Sequence, residues 1–189
     1  MILPGIAKLA RGNAKGADEF SNTPESFAAS LAPLIAFPLV GAVITALSGD
    51  WKMAMLGFLS RLCAVLVLPV LTYEFAKIFG RKGQWLRTAT ALNWCYWLVL
   101  PAVLVAAILA TVAIQFGLPM QRMELGMFGL VGLYLLWNRW FVLKSGLQIN
   151  GWRAALVLLV IIVLTAIFSF LPLLVVGTKL VGIDLHPLS

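Results

Sequence analysis

A chain of 189 residues that is 62% hydrophobic and 11% charged, with a mean hydropathy of +1.00, is too apolar for water; a soluble domain carries about 25% charged and about 45–50% apolar residues. The formal charge of +7 does not indicate nucleic-acid binding, because the basic residues fall between apolar runs and form no patch interleaved with aromatics. Cys63 and Cys95 each lie inside an apolar run with no CxxC or Cys/His grouping, so neither zinc nor a disulfide framework is expected.

In chain order, Met1–Lys15 has no continuous apolar core and no small-residue cleavage site, so it is not a secretory signal. Ile2, Leu3, Ile6, Leu9 and Ala10 share one helical face, with Lys8, Arg11 and Lys15 largely elsewhere. Two readings fit: a short helix in the headgroup layer or a disordered basic tail. Asn13–Ser26 is polar, holds Gly16, Asp18, Glu19 and Pro24, and reads as a linker.

Five apolar stretches follow, each near the ~20 residues that cross a hydrocarbon core. The first is expected over Phe27–Leu47, closed by Ser48-Gly49-Asp50; Pro33 and Pro38 also allow a re-entrant hairpin, which would leave four crossings. The second covers Met53–Phe79 and ends in the basic turn Gly80-Arg81-Lys82-Gly83. The third, Thr88–Phe116, stops at Gly117-Leu118-Pro119; the fourth is Leu125–Leu143; the fifth, Ala154–Thr178, carries no charge. The expected fold is all-α, a polytopic transmembrane bundle of about five spans. Its divisions are a cytoplasmic amphipathic and linker segment over 1–26, the spans over 27–178 and an outer tail over 179–189.

Charge orients the bundle. With the N-terminus cytoplasmic, that side collects Lys8, Arg11, Lys15, Lys77, Arg81, Lys82, Arg87, Lys144 and Arg153, against Lys52, Arg122 and Lys179 outside. That asymmetry is the positive-inside pattern. Trp51, Trp85, Trp137, Trp140 and Trp152 lie near predicted span ends, where an indole has both an apolar body and a polar handle to place.

Ala102, Ala106 and Ala110 recur every four residues on the third span, a spacing that lets a second helix approach closely. Gly126, Gly129 and Gly132 thin the fourth span without forming a strict GxxxG seam. Pro38, Pro69, Pro101 and Pro172 each remove a backbone donor inside a span; they shape the bundle or serve as hinges.

A charge at a helix centre costs about 2.5–3.5 kcal/mol on insertion scales, so Arg61, Glu74 and Arg139 each need an account. Arg61 either snorkels outward or faces the interior near Thr165 or Ser169. There it is an anion or lipid-headgroup contact, or a hydrogen-bonded structural arginine. Glu74 and Arg139 sit at similar expected depths and are expected to pair, with Lys77 as the competing partner one turn from Glu74. Asn93 and Asn138 complete the expected polar cluster. Glu74 is the only acidic residue well inside a span, which weighs against a proton relay.

No GxSxG, HExxH, P-loop or dinucleotide fingerprint is present. The lone histidine, His186, lies in the tail near Asp184 with no nucleophile close in sequence. No catalytic residue, metal or cofactor is expected, and the chain is not expected to be an enzyme.

The order of features over about Ser26–Thr178 resembles the Yip family, the Rab-GTPase-interacting membrane proteins and their bacterial relatives. The resemblance is carried by the second span running into Phe79-Gly80-Arg81-Lys82-Gly83-Gln84-Trp85-Leu86-Arg87, and by a third span with Pro101 in its middle. Leu135–Leu143, the turn Gly146-Leu147-Gln148-Ile149-Asn150-Gly151, and Arg153-Ala154-Ala155 complete it. It implies a five-helix bundle with a cytoplasmic N-terminus and, in eukaryotic members, trafficking partners. This sequence has no Asp-Leu-Tyr-Gly-Pro type segment, so Rab-type GTPase binding is not expected to carry over. The compact loops look like those of a bacterial member in the inner (plasma) membrane.

Two functions remain open. One is a non-enzymatic scaffold, accessory subunit or membrane-organising factor whose partners are the lipid bilayer and other membrane proteins. The other is a small transporter or lipid-handling protein using Arg61, Glu74 and Arg139.

Overall fold

With no water to satisfy peptide groups in hydrocarbon, a lipid-embedded backbone must close its hydrogen bonds within helices or a closed barrel, and this chain takes the first route. The structure, a computed structural model, describes residues 2–47, 49, 51–116 and 119–180, with the backbone alone for 120–122, 124 and 171–180. Among them there is no strand. The helices are α1 (Ile2–Ala10), α2 (Pro24–Leu47), α3 (Trp51–Ile78), α4 (Trp85–Cys95), α5 (Val99–Gln115), α6 (Met120–Leu147) and α7 (Gly151–Leu180), with 3-10 turns at Ala14–Glu19, Lys82–Gln84 and Tyr96–Leu98. Ser48, Asp50, Gly117, Leu118 and the tail from 181 with Asp184 and His186 lie outside the described residues, as do the side chains of Arg122 and Lys179.

Local chemistry sets the ends. The Thr23 hydroxyl accepts from Ser26 N–H at 3.3 Å, and Pro24 takes the first helical position, where its missing N–H costs nothing. Helix α2 therefore starts inside the stretch read as a linker and runs unbroken through Pro33 and Pro38, so the re-entrant hairpin does not form. Gly80, at φ 69°, closes α3 as Arg81 N–H reaches back to the Ala76 carbonyl at 2.6 Å. The Asn150 carboxamide accepts from Arg153 N–H at 3.0 Å and starts α7.

Among the described residues, five units are long and apolar enough to cross a membrane: α2, α3, α4 with α5, α6 from Leu125, and α7. The third is not one straight helix. Pro101 cannot donate to the Trp97 carbonyl four residues before it, and the chain tightens into the 3-10 turn Tyr96–Leu98 at that place. Large apolar side chains face outward along the spans, Leu104, Phe128 and Leu159 being 61–73% exposed. Such a surface has lipid as its solvent, and the chain is an integral membrane protein.

Helix α4 is the hub. Every residue from Thr88 to Asn93 is buried, which a helix achieves only when all its faces are covered. Helices α2, α3 and α6 supply three walls, and the fourth comes from α1 with the turn that follows it. Of the two readings of the N-terminus, the helix is what forms. Its Leu9 is fully buried among protein side chains, however, while Leu3 stays exposed. The 13–26 segment is likewise structured, with Ala17 and Phe20 in the same core as Val142, Leu143, Leu147 and Val157. Helix α5 packs chiefly on α6, with Ala106 buried. Gly126, Gly129 and Gly132 lie on an open face of α6, where an added Cβ would meet nothing within 4 Å.

Candidate functional site

Counting along each helix at 1.5 Å per residue gives the depth of its polar groups from the basic end of the bundle, where α1, the end of α3 and the starts of α4 and α7 meet. Arg139, eight residues before the end of α6, and Asn93, eight after the start of α4, both lie about 12 Å in. Arg61, seventeen residues before the end of α3, lies about 25 Å in. Gly41 on α2 counts to the same level, and an added Cβ there would sit 3.0 Å from Arg61 Nη1.

Arg61, Asn93 and Arg139 line one cavity of about 590 Å³, enclosed by α2, α3, α4, α5, α6 and α7. Most of its wall is apolar, including Leu68, Leu92 and Ile161; Thr165 adds a hydroxyl. Phe37 and Leu100, 64% and 62% exposed, also line it, so the cavity reaches the lipid-facing surface between α2 and the α4–α5 break. The Phe37 and Trp97 rings stand 5.7 Å apart at that edge. The buried Trp97 indole N–H has no partner among the described residues.

Neither guanidinium is hydrogen-bonded or ion-paired to protein among the described residues. The hydrogen-bonded structural arginine considered for Arg61 is therefore not what is observed, although Arg61 does share its cavities with Thr165 and Ser169. The Glu74–Arg139 pair does not form. Glu74 is about 6 Å from the basic end, and its carboxylate is 3.9 Å from Lys77 one turn along. Helices α4 and α7 also stand between α3 and α6.

The two asparagines part company as well. Asn93 donates to the Ser30 hydroxyl at 2.9 Å, which donates to the Phe27 carbonyl at 2.7 Å, tying α4 to α2 beside the cavity. Asn138, fully buried, donates to the Leu9 carbonyl at 3.3 Å, and Tyr134 donates to the Ala10 carbonyl at 3.2 Å. Those two side chains cap the last turn of α1, where the final carbonyls have no helical donor.

The prolines supply a signal that spacing alone did not reveal. Pro38, Pro69 and Pro101 each deprive the carbonyl four residues earlier of its usual donor, and those three residues, Leu34, Val65 and Trp97, all line the cavity. Pro172 does the same for Phe168, whose carbonyl accepts a bond from the Ser60 hydroxyl.

A second cavity of about 420 Å³ lies farther from the basic end and is lined by Gly41, Thr45, Met53, Gly57, Ser60 and Ser169; Arg61 belongs to both.

No family model, no curated protein and no solved structure matches this chain.

Proposed function

We propose that this membrane protein is non-enzymatic and binds an anionic amphiphile, a lipid whose headgroup carries phosphate or carboxylate, in the cavity shared by Arg61 and Arg139. The observation that carries the reading is two arginines, neither with a hydrogen-bond or ion-pair partner among the described residues, in one largely apolar cavity that reaches the lipid-facing surface. Each cation is expensive inside a span, and an anion hydrogen-bonded to a guanidinium offsets that expense strongly. The apolar remainder of the cavity suits a chain or glycerol backbone. Glu74 takes no part, since it stands at the basic end beside Lys77.

The test is retention of phosphatidylglycerol by protein purified in mild detergent, read by native mass spectrometry. Arg61→Leu and Arg139→Gln, each still monodisperse, are expected to weaken retention about 10–100-fold, the range of a lost charge-assisted bond. Retention unchanged in the double variant would sink the reading.

A scaffold or accessory-subunit role is favoured by a different observation, the open glycine face of α6 at Gly126, Gly129 and Gly132. Small residues there allow another transmembrane helix to approach closely. Gly129→Leu should then abolish any stoichiometric partner that co-purifies, and leave lipid retention intact. The Yip-family resemblance, a bacterial inner-membrane location and a cytoplasmic basic end belong with these proposals. The five apolar spans and the basic turn Gly80–Arg87 support the resemblance and the cytoplasmic basic end.

A further inference from the structure

Polar groups in the two cavities form a ladder along the bundle axis. From the basic end, Asn93 and Arg139 lie at about 12 Å, Thr165 at about 21 Å, Arg61 at about 25 Å, Ser169 at about 27 Å and Thr45 at about 31 Å, counted at 1.5 Å per residue. The counts agree across helices: Ser60 and Phe168, which are hydrogen-bonded, fall at the same level. A 28-residue helix such as α3 is about 42 Å long, and the hydrocarbon core takes about 30 Å of it. The ladder therefore covers most of the core and passes its midplane between Arg139 and Arg61.

One residue joins the two cavities. Arg61 lines both, and its guanidinium lies against the bare backbone of Gly41 on α2, where a Cβ would be 3.0 Å away. Any side chain at 41 would intrude where the cavities meet. Arg61 is also not tethered to a protein partner among the described residues, so its long side chain can swing toward either cavity.

We infer that the two cavities are a single path along which an anionic lipid headgroup passes from one leaflet to the other. Arg139 is the station in the basic half, Arg61 the station at the junction, and the lipid tail stays in the bilayer through the side opening at Phe37 and Leu100. This inference rests on the anionic-amphiphile reading and extends it from binding to transfer. The physical need is plain: a headgroup charge meets a prohibitive desolvation barrier in bare hydrocarbon, and two guanidiniums at different depths replace its hydration in steps. No chemical bond changes and no energy source is required, so transfer runs in both directions.

The experiment reconstitutes the full chain into mixed phosphatidylcholine–phosphatidylglycerol vesicles holding tail-labelled fluorescent phosphatidylglycerol, then adds a membrane-impermeant quencher. Without transfer, roughly half of the label is quenched, the outer leaflet's share. With the protein, quenching is expected to approach completion in every vesicle that holds a copy, and to do so more slowly for labelled phosphatidylcholine. Gly41→Leu, which fills the junction and crowds the Arg61 guanidinium, is expected to slow transfer at least 10-fold. Quenching that halts at half in the parent, with retention intact, overturns the path and leaves binding standing. Loss of both retention and transfer in the parent overturns both readings. Undiminished transfer in a folded Gly41→Leu variant overturns the junction at Arg61.

Discussion

At Gly146, helix α6 comes so close to α4 that a Cβ would fall 2.6 Å from Thr88 Oγ1 and 2.8 Å from its Cγ2. Those atoms are held near the backbone, and the hydroxyl is already donated to the Gln84 carbonyl at 2.8 Å, so they cannot swing aside. Gly146→Ala is expected to force the helices apart and destabilise the fold by about 1–3 kcal/mol, the usual range for overpacking. Thermal unfolding in detergent measures it, and adding Thr88→Ala should recover part of the loss. Cost and recovery both depend on two residues far apart in sequence. The same holds for the charged and polar candidates. Arg61 and Arg139 were visible as costly residues in apolar runs, but nothing in their neighbours told that one cavity holds both. Glu74 settled beside Lys77 because an i,i+3 partner on its own helix was nearer than any on α6.

Helix by helix, the apolar runs were legible because a span of ~20 residues has to be continuous. The start of α2 was not, since Pro24 at its first turn was placed in the linker, whereas Gly80 stood in the basic turn expected after the second span. The N-terminal segment was not legible. Lys8 is ion-paired with Glu19 and Arg87 with Asp18 at 2.8 Å, while Asn22 donates to the Gly83 carbonyl at 2.7 Å and accepts from Arg87 N–H at 3.2 Å. Residues that read as a solvated linker are thus a set of clamps on the start of α4. Leu9→Ala opens a cavity at a fully buried site, where such truncations cost about 2–5 kcal/mol. Residues 2–20 are therefore expected to lose hydrogen-exchange protection before the spans do; unchanged protection would contradict this docking. The Lys8 ammonium, through its hydrogen bond and charge, holds the Glu19 carboxyl below the usual carboxylate range. A carboxylate depressed on folding stabilises at pH above its unfolded value, about 4.3, and loses that contribution as pH falls through the lower folded value. Protection of residues 2–20 should accordingly fall in acid below about pH 4.3, and Glu19→Gln should remove that dependence.

Across the whole molecule, the sequence by itself determined that the chain lives in a membrane and roughly where its five apolar runs lie, while the structure decided that the first of them is one continuous helix and not a hairpin. What the sequence determined follows from composition and run length, which are local to each stretch. Only the tertiary structure decided that α4 is the buried hub, that the N-terminal segment forms its fourth wall, and that Arg61 and Arg139 share a cavity while Glu74 and Asn138 do not. In lipid an apolar face has no preferred partner, so periodicity does not reveal which helices meet. Close approach at Gly146 and Gly41, and the donors missing at Pro38, Pro69 and Pro101, set that arrangement, and their consequences appear only once the helices stand side by side.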